Sequence, residues 1–214
     1  MIKVVGVGGC GGNVINHMIA SGAFEVDFIV MNSDRNALSH SNAPLKLFIG
    51  ENTKGYLEGN GPDVGIRAAR TSAEEIASML KGADMVIIIA GMGGAIGTGA
   101  SPIIAQMAKS QNIFTIGIAT MPFTFEGKKK VLYAEKGIAT LRTTVDGLII
   151  ISCDAIKDKW IEEKSIANAF HEVDEVIKQA VLHVSTLVDK QGYENIDIAN
   201  ICSAINNTGL PNFV

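Results

Sequence analysis

Ile2-Lys3-Val4-Val5 runs straight into Gly6-Val7-Gly8-Gly9-Cys10-Gly11-Gly12-Asn13, a short apolar strand followed by a turn built almost wholly of glycine. The arrangement returns at Met85-Val86-Ile87-Ile88-Ile89-Ala90, which leads into Gly91-Met92-Gly93-Gly94-Ala95-Ile96-Gly97-Thr98-Gly99. A helix-like stretch follows each turn. A strand, a glycine turn and a helix N-terminus together form an anion site: backbone N–H groups point outward, the helix dipole is favourable, and no Cβ blocks a phosphate. One such turn carries little weight. Two in one domain point to a polyphosphate gripped from two sides. The glycines read as serving that grip, since packing offers no evident reason for so many in two short turns.

Around these turns the chain alternates strand and helix. Apolar runs rich in Ile and Val predict strands at 2–6, 27–31, 46–49, 85–90, 113–119 and 147–152, of the kind buried on both faces of a parallel sheet. Helices are predicted at 11–21, 35–40, 63–68, 72–81, 98–110 and 128–142. Thr71-Ser72-Ala73-Glu74-Glu75 reads as a capped helix start and Lys81-Gly82 as its stop. The fold class is therefore α/β, a doubly wound and mostly parallel sheet that binds its ligand beyond the carboxyl ends of the strands. Residues 50–65, punctuated by Gly50, Gly55, Gly59, Gly61, Pro62 and Gly65, read as a long loop on that same edge. The domain spans 1–163, a long central helix 164–192, and a loop with the start of a further helix 193–214. The helix carries Ile166, Ala169, Phe170, Val173, Ile177, Ala180, Val181 and Val184 at three- and four-residue steps. The sheet covers one end of so long a stripe, and the rest requires another layer or molecule.

Bulk properties narrow the function. With 214 residues and 47% hydrophobic content, the chain can bury a large core. A net charge of −4, with Lys128-Lys129-Lys130 as its basic cluster, argues against nucleic acid as the main partner. Met1 leads directly into a strand and no apolar run is long enough for a bilayer, so neither a signal peptide nor membrane insertion is expected. Cys10, Cys153 and Cys202 show neither metal spacing nor a disulfide framework, which fits a cytoplasmic location. His17, His40, His171 and His183 are dispersed and read as structural or exposed.

In this order, the motifs resemble those of the FtsZ family of tubulin-like GTPases across essentially the whole chain. Gly6 to Asn13 is similar to that family's first phosphate loop, Asn32-Ser33-Asp34 to its Asn-Thr-Asp loop, and Gly91 to Gly99 to the tubulin signature. Pro122-Phe123-Thr124-Phe125-Glu126-Gly127-Lys128 resembles its ribose-side loop, Ala169-Phe170 with Asp174 its guanine-holding turn, and Asn195-Ile196-Asp197 the loop that enters a neighbouring subunit's site. The resemblance implies GTP and GDP as ligands, with Mg2+ near Asp34. It implies that Gly8, Gly9, Cys10, Gly11, Gly12, Gly94, Ala95, Ile96, Gly97, Thr98 and Gly99 surround the phosphates, together with Gly59 and Asn60 of the long loop. Glu126 would hold the ribose. Lys130 stands where the family has Arg, keeping the charge without the bidentate fork. Phe170 would stack on the base, unless it is simply core. Asp174 would accept from N1 and N2 of guanine, donors that adenine lacks, and Asn13 would serve the base from the other side. Asp197 and Asn200 take the positions of the two acids that align water in the next subunit.

The departures from the family cluster where the γ-phosphate would lie. Ala95 and Ile96 replace Gly and Thr, Glu58 brings a carboxylate into the long loop, and Asn200 replaces an acid. Cys10 replaces a loop glycine and Cys153 an Asn near the guanine. The family's C-terminal domain has no counterpart here, which fits either a piece of a longer protein or a divergent homologue. The implied function is a cytoskeletal GTPase associated with bacterial cell division. Its assembly would be coupled to GTP, its hydrolysis slow or impaired, and its longitudinal partners itself or complete FtsZ-type subunits. Two other readings stand beside it. One is a non-catalytic modulator that caps such filaments. The other is a dinucleotide-binding oxidoreductase domain, since Gly6 to Gly11 with Asp34 imitates that fingerprint, although the second glycine turn argues against it.

Overall fold

The computed structural model describes residues 1–22, 25–50, 61–157 and 166–191. Six strands form one sheet: β1 (Ile2–Val7), β2 (Asp27–Asn32), β3 (Leu45–Phe48), β4 (Met85–Gly91), β5 (Phe114–Met121) and β6 (Gly147–Ser152). All pairs are parallel, in the order β3-β2-β1-β4-β5-β6. Branched side chains suit this pleated, two-sided burial, and their alternation divides the core. On β1 and β4, Val4, Ile87 and Ile89 point into one layer. Val5, Val86 and Ile88 point into the other. The inner strands β1 and β4 are covered on both faces, which is why they read as apolar runs, whereas the edge strand β3 exposes Leu45 and Lys46.

Helices cover both layers. On the first lie α1 (Gly8–Ser21), α2 (Arg35–Ser39), α7 (Cys153–Lys157) and α8 (Ile166–Gln191). On the second lie α3 (Pro62–Thr71), α4 (Ala73–Leu80), α5 (Ala95–Ser110) and α6 (Lys128–Arg142). The stripe of α8 buries Ala169, Val173, Ile177, Ala180, Val181 and Val184 in the first layer, so the covered length is more than one end of the helix. Lys3, only 7% exposed, donates from Nζ to the carbonyls of Met79 (2.7 Å) and Lys81 (2.9 Å). That cation sits at the C-terminal end of α4, where the dipole favours it.

Several local expectations are corrected. α1 begins at Gly8 rather than residue 11, and α5 at Ala95 rather than residue 98, so the glycine turns are themselves the first helical turns. Ser72 stands at the N-cap of α4 as expected, but its side chain makes no capping bond; its Oγ accepts from the Gly50 N–H at 3.0 Å. Gly65 is not loop punctuation. It lies inside α3, where a Cβ would come within 2.3 Å of the Ala95 carbonyl oxygen, so contact with α5 selects it. α7 and a 3₁₀ turn at Thr124–Glu126 were not expected at all. Residues 51–60, most of the anticipated long loop, lie outside the described residues. Among the described residues, no helix is long and apolar enough to cross a membrane.

Candidate functional site: the crevice between β1 and β4

The strand order reverses between β1 and β4, because the chain leaves one toward β2 and the other toward β5. At such a switch point the following helices diverge to opposite faces and leave a crevice at the carboxyl ends. A cavity of about 490 Å³ lies there. Gly8, at φ +72°, makes the turn from β1 into α1, and Gly93, at φ +101°, bends the chain before α5. An L side chain rarely adopts either conformation. The first turns of both helices line the cavity through Gly8, Gly9 and Cys10 on one side and Gly94, Ala95 and Ile96 on the other. Neither helix is capped by a side chain, and neither carries an acid in its first turn. α4, away from the cavity, has Glu74 and Glu75 in that position. Two helix N-termini without acids or side-chain caps therefore face one space and favour an anion there.

The far wall comes from α8 and the segment after β5. Phe170 is 43% exposed and is not part of the core; its ring meets buried Phe123 edge-on at 5.3 Å. Phe123 also stacks on Phe125 at 4.8 Å. The Asp154 carboxylate accepts from the Thr124 N–H at 3.0 Å and from its hydroxyl, pinning this segment to α7. Glu126 Oε1 accepts from the Phe123 N–H at 2.9 Å, and its Oε2 lies 3.0 Å from Lys130 Nζ. Lys130 is half exposed, so the pair adds little stability. One turn beyond Phe170, Asp174 also reaches the cavity. Burial pushes its carboxyl up to about 6, against the pull of His17 and His171. The Cys10 thiol is pushed up to about 12 by burial and by Asp174, and the Cys153 thiol to about 12 chiefly by burial. Both are neutral thiols at neutral pH.

Most of the expected site residues meet at this cavity: Gly8, Gly9, Cys10, Asn13, Gly94, Ala95, Ile96, Gly97, Glu126, Lys130, Phe170 and Asp174 all line it. Gly11, Gly12, Thr98 and Gly99 do not. Thr98 is buried and its Oγ1 accepts from the Gly93 N–H at 2.8 Å, bracing the turn from behind. Asp34, expected beside a magnesium ion, caps α2 instead; its Oδ1 accepts from the N–H groups of Asn36 (2.8 Å) and Ala37 (3.2 Å), and it is not part of the wall. Gly59, Asn60, Asp197 and Asn200 lie outside the described residues.

The expectation that the glycines serve only the ligand is also corrected. A Cβ on Gly11 would stand 2.5 Å from the Ile89 oxygen, one on Gly97 2.3 Å from the Gly91 oxygen, and one on Gly99 1.9 Å from the Pro62 oxygen. Those three let helices press onto strands or onto each other. Gly9 and Gly94 are different: nothing lies within 4 Å of either Cβ position, and both face the cavity. Sequence reasoning quoted Asn32 in a motif without placing it at the site, and missed Thr120; both are buried residues near the ends of β2 and β5 that line the cavity. Marking the residue that follows each of these predicted apolar runs, 27–31 and 113–119, would have found both. It also took the histidines as dispersed, whereas the fold brings the rings of His17 and His171 to 4.7 Å.

Comparisons with known proteins agree with this geometry. A profile of the Tubulin/FtsZ family, GTPase domain, matches residues 1–160. The chain is similar to a solved FtsZ dimer, described as empty, from M. jannaschii, with a TM-score of 0.83 and 34% identity over 96% of this chain and 60% of that one. It also resembles CetZ2 from Haloferax volcanii, solved as a GTPγS-bound protofilament, at TM-score 0.77 and 20% identity over 94% of this chain and 62% of that one. CetZ1 from the same organism, a GDP-bound monomer, gives TM-score 0.76 and 22% identity over 88% and 63%. At those identities the CetZ matches establish the fold. The chain thus spans 60–63% of the length of these structures. Two glycine turns meeting at the switch point of a parallel sheet, and a profile running through both, lead to one conclusion: the chain belongs to the Tubulin/FtsZ family and carries its GTPase domain.

Proposed function

We propose that the crevice binds a guanine nucleotide, that the diphosphate rests on the N-terminal N–H groups of α1 and α5, and that subunits associate longitudinally with slow GTP turnover. One observation carries this reading: the two first helical turns that are open to a ligand share a cavity with Phe170 and Asp174 on its far wall. Phe170, anchored edge-on by Phe123, presents an exposed ring face for a purine. The Asp174 carboxylate accepts from guanine N1–H and N2–H, and adenine leaves it unpaired at the cost of a buried charge. Asn13 approaches the base from α1. Glu126, held in position by the Phe123 N–H and Lys130, retains lone pairs for ribose hydroxyls.

Slow turnover rests on Ile96. Its Cβ lies 3.5 Å from where a side chain on Gly8 would begin, so a branched apolar group stands between the two glycine turns. It offers no hydroxyl to a third phosphate and excludes water from that place. Asn200 adds to this in the sequence, since an amide orients water but takes no proton from it. Longitudinal association and a role in division are part of the proposal; membership of the Tubulin/FtsZ family and the similarity to an FtsZ dimer and a CetZ2 protofilament support self-association. The oxidoreductase reading falls away, because the carboxylate it needs, Asp34, caps α2 off the cavity and the family is that of tubulin and FtsZ.

Chromatography of nucleotide released from the purified chain should identify GDP or GTP. Calorimetry should then show GDP bound at least about 100-fold tighter than ADP, with the gap closed to within about tenfold in Asp174→Asn, as loss of charge-assisted bonds of about 1.5–3 kcal/mol requires. Equal affinity for GDP and ADP in the wild-type chain would refute the assignment.

A further inference from the structure

Behind the base wall, α1 and α8 cross and bring together three side chains that the nucleotide site does not use. His17 lies one turn after Asn13 on α1. His171 and Glu175 lie one turn apart on α8, each next in sequence to a residue of the nucleotide wall. Their ligand atoms, one nitrogen from each imidazole and one carboxylate oxygen, all lie within 4.8 Å of one another. His17 Nε2 and Glu175 Oε1 are hydrogen-bonded, and the two rings stand at 77° to each other with centroids 4.7 Å apart. His17 and Glu175 are half-buried while His171 is exposed, so the cluster is open on one side.

We propose that His17, His171 and Glu175 bind a divalent transition-metal ion of the Zn2+ class, joining α1 to α8. Two imidazoles and one carboxylate make a donor set that Zn2+ accepts, with a fourth position open to water. Helix spacing places His171 and Glu175 on one face, and His17 completes the set from the facing helix. The metal takes the place of the proton shared by His17 and Glu175. Rotation of the exposed His171 ring brings in the third ligand. Lys178 works against binding: its Nζ lies 2.8 Å from Glu175 Oε1 and 2.6 Å from Oε2, so the site is of moderate affinity. Because α1 starts at the phosphate turn and α8 carries Phe170 and Asp174, a bound ion ties the two ends of the nucleotide site together.

The test uses untagged, chelator-treated protein titrated with Co2+ and, in parallel, with Zn2+ by calorimetry. One equivalent should bind, with the visible absorption of tetrahedral Co2+ and no thiolate charge-transfer band. His171→Ala, an exposed position, should weaken binding at least about tenfold without changing the circular dichroism. His17→Ala should do the same, Lys178→Gln should tighten binding, and His183→Ala should leave it unchanged. Absence of binding, a thiolate band, or undiminished affinity in His171→Ala would each overturn the proposal.

Discussion

The two glycine turns occupy equivalent places on adjacent strands yet present different surfaces to the cavity. The turn that opens α1 offers bare backbone at Gly9, with nothing within 4 Å of its Cβ position. The turn that opens α5 offers the same freedom at Gly94 and then covers its next step with Ala95 and Ile96. A binding loop thus separates into parts with distinct physical duties: glycines that let the helix seat on the sheet, glycines that admit a ligand, and side chains that decide how much of the ligand fits. The α1 turn performs the first two duties and places one small side chain, Cys10, on the cavity, whereas the α5 turn sets the branched Ile96 there.

The largest effect is expected where the seating fails. Gly97→Ala forces a Cβ to 2.3 Å from the Gly91 carbonyl oxygen and should cost about 3 kcal/mol. For a chain of this size that is a fall of roughly 10 °C in Tm by calorimetric scanning. Gly94→Ala, with open space around it, should stay within about 0.5 kcal/mol of wild type. Equal Tm values for the two variants would erase the distinction between seating and admitting glycines. Next in size is Gly9→Asp, which adds a carboxylate at the open α1 turn without a steric clash. GDP affinity should drop about 100-fold, close to 2.7 kcal/mol, with unchanged circular dichroism. Undiminished GDP binding would mean that the phosphates do not meet α1.

A smaller and opposite change sharpens the contrast between the turns. Ile96→Thr combined with Asn200→Asp should raise phosphate release about tenfold, roughly 1.4 kcal/mol of barrier, in an assay at saturating GTP. A flat rate would remove Ile96 as the cause of slow turnover. The smallest effect is expected at the two cavity thiols. Because Cys10 and Cys153 are each pushed up to about 12, the thiolate fraction keeps rising tenfold per pH unit beyond the ordinary value of 9.0 instead of levelling there. Iodoacetamide at pH 8 should therefore leave both unlabelled in peptide mapping and GDP affinity unaltered. Rapid labelling of Cys10 at that pH would contradict the raised thiol pKa that burial and Asp174 give it.

The legible parts of the molecule were those that repeat along the chain. Val4, Val5, Ile87 and Ile88 announce a strand buried on both faces whatever lies on either side, and all six strands were predicted within two residues of their ends. Phe170 and Asp174 were legible as a pair through the resemblance to the family's guanine-holding turn, and helix spacing adds that both lie on one face. Gly65 and Gly99 were not legible in that way. Their reason is the contact between α3 and α5, and glycine in a helix interior looks the same in sequence as glycine in a loop. Ser72 misled for a similar cause: its oxygen had a choice of N–H partners, and the distant Gly50 won.

Taken by itself, the sequence determined the alternation of strand and helix, the two glycine turns and the residues that depart from the family near the third phosphate. The first two are local patterns set by backbone conformation and by side-chain period, and the third is legible through the resemblance to the family. Only the tertiary structure decided which glycines touch carbonyl oxygens and which touch open space, and that His17 meets His171 and Glu175. Those outcomes depend on distances between segments far apart in the chain, which follow from the packing of helices on a shared sheet and are written in no single stretch of residues.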